Sequence, residues 1–138
     1  MNNIAIVGTS LTHRMTDNEQ RDARQLIAVI LQSEYPCTLI SGGAKGIDSL
    51  AEEIAKGLDI PVKIYKPKSE TWDYYRERNL KIANDCDKLF CITTKRILTT
   101  RCYHCNADHQ KTAGCWTKQE ATKKNKYTRL MLIDRDFL

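Results

Sequence analysis

Short apolar runs alternate with helix-period segments along the whole chain. Ile4-Ala5-Ile6-Val7 is a continuous apolar run that stops at Gly8-Thr9-Ser10, the pattern of a short buried strand. Thr16 is followed three residues later by Glu19, the spacing of a capping box, so a helix is expected to begin there and to bury Leu26, Ile27, Ile30 and Leu31. Pro36 breaks the chain before a second strand over 38–41. From Ile47, the residues Leu50, Ala51, Ile54, Ala55 and Leu58 recur at three- and four-residue steps, which predicts a helix lying on a sheet with Gly57 at its C-terminal end. A third strand is expected over 62–65, and after Pro67 a helix over 69–84 that turns Trp72, Leu80 and Ala83 toward the core. Residues 89–92 predict the fourth strand, 114–124 the last helix and 130–133 the fifth strand.

This alternation is the pattern of a parallel sheet covered by helices on both faces. The expected fold class is α/β: a single doubly wound, Rossmann-like domain over 1–138, with about five parallel strands. Only residues 93–112 break the rhythm. They form a polar connection of the length at which loops carry function or a stabilising device of their own.

At 138 residues the chain is long enough for one core that needs no disulfides. Its longest apolar run, over 26–31, is far too short to span a bilayer, so a membrane protein is excluded as an expectation. The N-terminal residues enter a strand-like run at once, without the basic and hydrophobic regions of a secretion signal, which predicts a cytoplasmic protein. A net charge of +5 suits anionic partners, nucleic acid included. The basic residues are dispersed, apart from Lys123-Lys124-Asn125-Lys126 and Lys95-Arg96, for which solvated helix ends and loops are the plain reading.

Four groups of residues carry candidate chemistry. Ser41-Gly42-Gly43-Ala44-Lys45-Gly46-Ile47-Asp48 reads as a strand end, a glycine turn and a helix start, where an anion meets backbone N–H groups at the positive end of a helix dipole. Lys45 adds a cation, and Asp48 is placed to bond backbone amides or a sugar hydroxyl. Gly8, Thr9 and Ser10 form the loop after the first strand, which usually flanks the ligand crevice of such a sheet, with His13 and Arg14 a few residues on. Arg14 is a candidate phosphate contact. Tyr75-Arg76-Glu77-Arg78-Asn79 lies on the helix before the fourth strand, where composition by itself favours plain solvation.

The fourth group is Cys102, Cys105, His109 and Cys115, whose spacing suits a closed tetrahedral zinc site that clamps an insertion over 95–117. His104 competes with His109 as a ligand. A catalytic zinc requires one position left to water, and a redox dithiol at Cys102 and Cys105 is a further alternative. Cys37, Cys86 and Cys91 read as buried core residues.

Taken together, residues 4–8, the Ser41 to Asp48 turn, Arg78-Asn79 with Ile82, and Ala113-Gly114 before a helix resemble the SLOG superfamily of Rossmann-like proteins. That superfamily includes the cytokinin-activating phosphoribohydrolases, the Rossmann domain of DNA-processing protein A, and sensor domains for nucleotides derived from NAD. The likeness runs from residue 3 to about 133, and is greatest to small stand-alone members with a cysteine-histidine insertion. It implies that Gly42, Gly43, Ala44 and Gly46 line a phosphate or ribose subsite and that Arg78 and Asn79 face it. It also implies that Thr112-Ala113-Gly114 with Thr117 forms a second phosphate-facing helix start, with Cys115 placing the metal beside it. Relatives of this size often dimerise, so a homo-oligomer is a further implication. The phosphoribohydrolases carry a Pro-Gly-Gly-x-Gly-Thr loop followed by a glutamate. This chain has Thr112-Ala113-Gly114-Cys115-Trp116-Thr117, with Glu120 three residues on.

The expected function is binding of a nucleotide or nucleotide-derived small molecule, such as an ADP-ribose-like signal, at the C-terminal ends of the strands. One alternative is a hydrolase that cleaves an N-glycosidic or phosphate bond, with Asp48 or Glu120 as the carboxylate that polarises a hydroxyl or positions water. The other is a single-stranded DNA-binding protein, suggested by the charge and by the likeness to DNA-processing protein A.

Overall fold

Four consecutive apolar residues, Ile4, Ala5, Ile6 and Val7, are buried in β1 (Asn2–Gly8) because this strand is the middle of a sheet with helices on both faces. The computed structural model describes residues 2–10, 15–94 and 113–133. After β1 come α1 (Asp17–Glu34), β2 (Cys37–Ser41), α2 (Ile47–Gly57), β3 (Val62–Ile64), α3 (Trp72–Asp85), β4 (Lys88–Thr94), α4 (Ala113–Lys123) and β5 (Tyr127–Ile133). The five strands form one sheet in the order β3-β2-β1-β4-β5, and every pairing is parallel.

The register sorts the side chains by face. Ile4 lies opposite Leu39, and Ile6 opposite Phe90; these point to the side where α1 brings Ala23, Ile27 and Leu31 and α2 brings Ile47, Ala51 and Ala55. Ala5 lies opposite Ile40 and Leu89, and faces Ile82, Ala83 and Cys86 of α3 with Cys115 and Ala121 of α4. The chain moves outward from β1 through β2 to β3, then returns to the other side of β1 for β4 and β5. The C-terminal ends of β1 and β4 therefore bound the point where strand order reverses.

Local signals behave as the sequence suggests. The Thr16 hydroxyl accepts from the Glu19 amide at 3.1 Å, and Glu19 Oε1 accepts from the Thr16 amide at 2.8 Å, a complete capping box. Cys37, Cys86 and Cys91 are buried in the core. Trp72 is the exception: expected toward the core, it is 47% exposed. It opens α3 ten residues before Ile82, which sets it about 80° around the helix from the buried face. Leu80 is only half-buried, because Asn79, Ile82 and Ala83 hold the inward positions. No helix among the described residues is long and apolar enough to cross a membrane. The zinc-bound loop expected over 95–117 lies, up to residue 112, outside the described residues.

Candidate functional site

The glycine turn between β2 and α2 is held by its own side chains. Ser41 ends β2 fully buried; its hydroxyl donates to Glu52 Oε2 at 2.6 Å and accepts from the Gly43 amide at 3.2 Å. The Ala44 amide donates to Asp48 Oδ2 at 3.2 Å, and the Gly46 amide to Ser49 Oγ at 3.0 Å. The Ile47 amide donates to the Thr9 carbonyl at 3.0 Å, which ties this turn to the loop after β1. Gly43 and Gly46 have φ of 72° and 108°, a region that side chains rarely adopt. The Gly43, Ala44, Gly46 and Ile47 amides are thus already engaged. The Asp48 carboxylate takes the place that the sequence offered to an external anion.

Asp48 and Arg78 meet across the turn. Arg78 Nη1 donates to the Gly42 carbonyl and, at 3.5 Å, to the Tyr65 carbonyl, while its Nε donates to Asn79 Oδ1 at 2.7 Å. A Cβ on Gly42 would stand 2.7 Å from Arg78 Nη1 and 2.9 Å from Asp48 Oδ2, so only glycine leaves room for both groups. Burial pushes the Asp48 carboxyl up to about 6; the Ala44 amide and then the Arg78 charge oppose that rise. Burial also lowers the pKa of Arg78, against the pull of Asp48. Asn79 is 5% exposed, and its Nδ2 is a buried donor with no partner among the described residues.

The loops after β1 and β4 close on each other. A Cβ on Gly8 would lie 1.8 Å from the Ile92 carbonyl oxygen, and one on Gly114 would lie 2.8 Å from the Gly8 Cα and N. The first turn of α4 therefore rests directly on the backbone of β1. Thr9 and Thr93 share a buried hydroxyl–hydroxyl bond of 2.8 Å, and Thr117 is buried at 1% exposure. Gly8, Thr9, Gly114 and Thr117 thus come together as tightly packed backbone and buried hydroxyls.

An open cavity of about 1170 Å³ sits beside this contact, over the glycine turn and the exit of β3. Among the expected residues it brings together Ser10, Gly42, Gly43, Ala44, Lys45 and Arg78. It also recruits Tyr75, from the group noted on the helix before the fourth strand, and Lys66, Pro67, Lys68 and Glu70, which sequence reasoning did not assign to the site. The signal for the lysines was present. Lys66-Pro67-Lys68 follows the third strand, and ligands of open parallel sheets sit beyond strand C-termini. Among the described residues, four cations, Lys45, Lys66, Lys68 and Arg78, line the cavity against one carboxylate, Glu70. Lys68 also approaches Glu77, at 3.8 Å. The Arg78 guanidinium lies 5.6 Å from the Tyr75 ring centre, within cation–π reach.

Other expected residues lie apart from this cavity. Glu120 sits about 9 Å along α4 from Gly114 and approaches Lys123 at 3.7 Å. Ala113 opens α4. Cys115 is fully buried, with its Sγ 3.9 Å from that of Cys91. Arg14, Cys102, His104, Cys105 and His109 lie outside the described residues. Among the described residues no group of three or more histidine, cysteine or carboxylate side chains is placed to hold a metal.

No protein-family model matches the sequence, and no curated protein does. Solved structures similar in fold include two of different proteins. DNA processing protein A (DprA) from Streptococcus pneumoniae superposes with a TM-score of 0.67 and 15% identity, over 94% of this chain and 50% of its own. TM1055, a structural genomics target, gives a TM-score of 0.65 and 15% identity, over 93% of this chain and 72% of its own. This chain therefore spans about half the length of DprA. The two superpositions, together with five parallel strands in one doubly covered sheet, bear out the fold expected from the sequence: the chain is α/β and Rossmann-like.

Proposed function

We propose that the protein binds a nucleotide or nucleotide-derived small molecule, with its phosphate among Lys45, Lys66, Lys68 and Arg78. The observation that carries this reading is the convergence of four cations from three separate segments on one cavity at the strand C-termini. Four amides of the turn, those of Gly43, Ala44, Gly46 and Ile47, are engaged internally, so this reading assigns the anion contact chiefly to side-chain cations. The same geometry favours binding over cleavage. One Asp48 oxygen is taken by the Ala44 amide, and Glu120 is remote from the cavity.

Calorimetric titration with AMP, ADP and ADP-ribose at low salt tests the reading, followed by chromatography of ligand released by heat. Binding with recovery of intact ligand is expected. Conversion to products would turn the reading to the hydrolase, and no binding to any of the three would end it. The fold likeness to DNA processing protein A supports a second reading, single-stranded DNA on the same cations. It predicts oligonucleotide affinity that falls steeply with salt.

For residues 95–117 the proposal is one structural zinc held by Cys102, Cys105, His109 and Cys115.

A further inference from the structure

The chain has two tryptophans, and the fold brings both into one pair at the C-terminal edge of the sheet. Trp72 is the first residue of α3 and Trp116 lies in the first turn of α4; their ring centres are 5.2 Å apart and their planes cross at 80°. An edge-to-face contact of this kind fixes the orientation of the rings but does not cover both of them. Trp72 keeps nearly half of its surface in solvent, and Trp116 is the more buried of the two.

Trp72 is not itself a lining residue of the cavity, but it falls in the chain between Glu70 and Tyr75, which are. Along α3, Trp72, Tyr75 and Arg78 follow at three-residue steps, so they form one row on the helix surface. Tyr75 and Arg78 line the cavity. The row thus runs from an exposed indole through a phenol to a guanidinium over about 9 Å of helix. It is apolar and flat at its outer end, and cationic at its inner end, where Lys45, Lys66 and Lys68 join Arg78. A ligand complementary to it has a planar apolar group at one end and a phosphate at the other.

We propose that Trp72, braced by Trp116, is the stacking surface for the base of a nucleotide whose phosphate lies among the cavity cations. This rests on the nucleotide reading above and narrows its ligand class: a base-bearing nucleotide binds, and a bare sugar phosphate binds weakly. Stacking tolerates any base because every base has a π-face, so little discrimination between bases is expected from this contact. The edge-to-face contact with Trp116 holds the Trp72 ring in place before the ligand arrives, which reduces the ordering cost of binding.

The test uses calorimetric titration of AMP and of ribose 5-phosphate into the full chain and its Trp72 variants. Tryptophan fluorescence is followed in parallel, because all of it comes from this pair. The unmodified protein should bind AMP about ten-fold more tightly than ribose 5-phosphate, with a change in fluorescence, and Trp72→Ala should remove that advantage while leaving the ribose 5-phosphate affinity unchanged. Trp72→Leu keeps an apolar side chain against Trp116 but no ring, and should behave like Trp72→Ala; Trp72→Phe should retain most of the advantage. Equal losses for both ligands, or none for either, would make the pair a clasp between α3 and α4 and overturn the proposal. If the unmodified protein binds neither ligand, the nucleotide reading itself falls, and stacking falls with it.

Discussion

Arg78 of α3 donates from Nη1 to the carbonyl of Gly42, at a sequence separation of 36 residues. That bond joins the helix before β4 to the turn after β2, and the weaker contact with the Tyr65 carbonyl adds the exit of β3. One guanidinium therefore fixes the relative positions of three segments that line the cavity. Its charge is opposed by Asp48 on the same turn, and its guanidinium lies 5.6 Å from the Tyr75 ring centre.

Replacement of Arg78 should weaken ligand binding even when charge is kept. A lysine has no planar fork with which to reach Gly42 and Asn79 together. Arg78→Lys and Arg78→Ala should each reduce AMP affinity at least about ten-fold, and each should cost about 1–3 kcal/mol of stability through the stranded Gly42 and Asn79 acceptors. Calorimetry and urea unfolding measure the two effects. An Arg78→Ala protein with full affinity would remove Arg78 from the site.

Two glycine substitutions should act in opposite directions. Gly114→Ala sets a methyl group 2.8 Å from the backbone of Gly8, which cannot yield without moving β1. It should destabilise the protein by about 1–3 kcal/mol, seen as a melting temperature lower by several degrees. Gly57→Ala, in the last turn of α2, meets nothing within 4 Å and should stabilise by about 0.5–1 kcal/mol. If Gly114→Ala melts with the unmodified protein, the close approach of α4 to β1 is wrong.

Asp48 gives stability a pH dependence of definite sign. Its folded value of about 6 lies above the ordinary 3.8, so between these two the native state binds the proton that the unfolded state has lost. Its contribution is present in full below about pH 4, declines as pH rises to about 6, and is flat above that. The decline is on the order of 3 kcal/mol. Urea unfolding from pH 4 to 7 should show this component, and Asp48→Asn should abolish it. An unchanged slope in Asp48→Asn would assign the effect to other groups.

The zinc proposal is tested by metal analysis of the purified protein. About one zinc per chain is expected. Cys102→Ser should lose it and leave residues 95–117 open to proteolysis. A normally folded protein with no metal after purification in zinc-containing medium would refute the site.

The order of elements was legible because each announces itself within a few residues. The Thr16 and Glu19 pair marks a helix start through bonds only three residues long, and the run from Ile4 to Val7 marks a strand buried on both faces. The glycine turn was legible for the same reason, and Gly42, Gly43, Ala44, Lys45 and Arg78 do share one cavity. The placement of Trp72 was not, since an apolar residue at a helix start has no neighbour within a turn that tells whether a sheet or solvent lies beside it.

Local periodicity and capping thus specify which segments become strands and helices, since they rest on spacing and on hydrogen bonds between near neighbours. Which residues become neighbours across the molecule depends on strand order and on the packing of helices over the sheet. That order brings Lys66 beside Lys45, sets Gly114 on Gly8, and turns Trp72 onto Trp116. It also lets Asp48, within its own turn, occupy amides that the glycine pattern offered to a ligand, because Arg78 arrives from α3 to balance its charge. These contacts join residues far apart in the chain, and only burial of a common core fixes them.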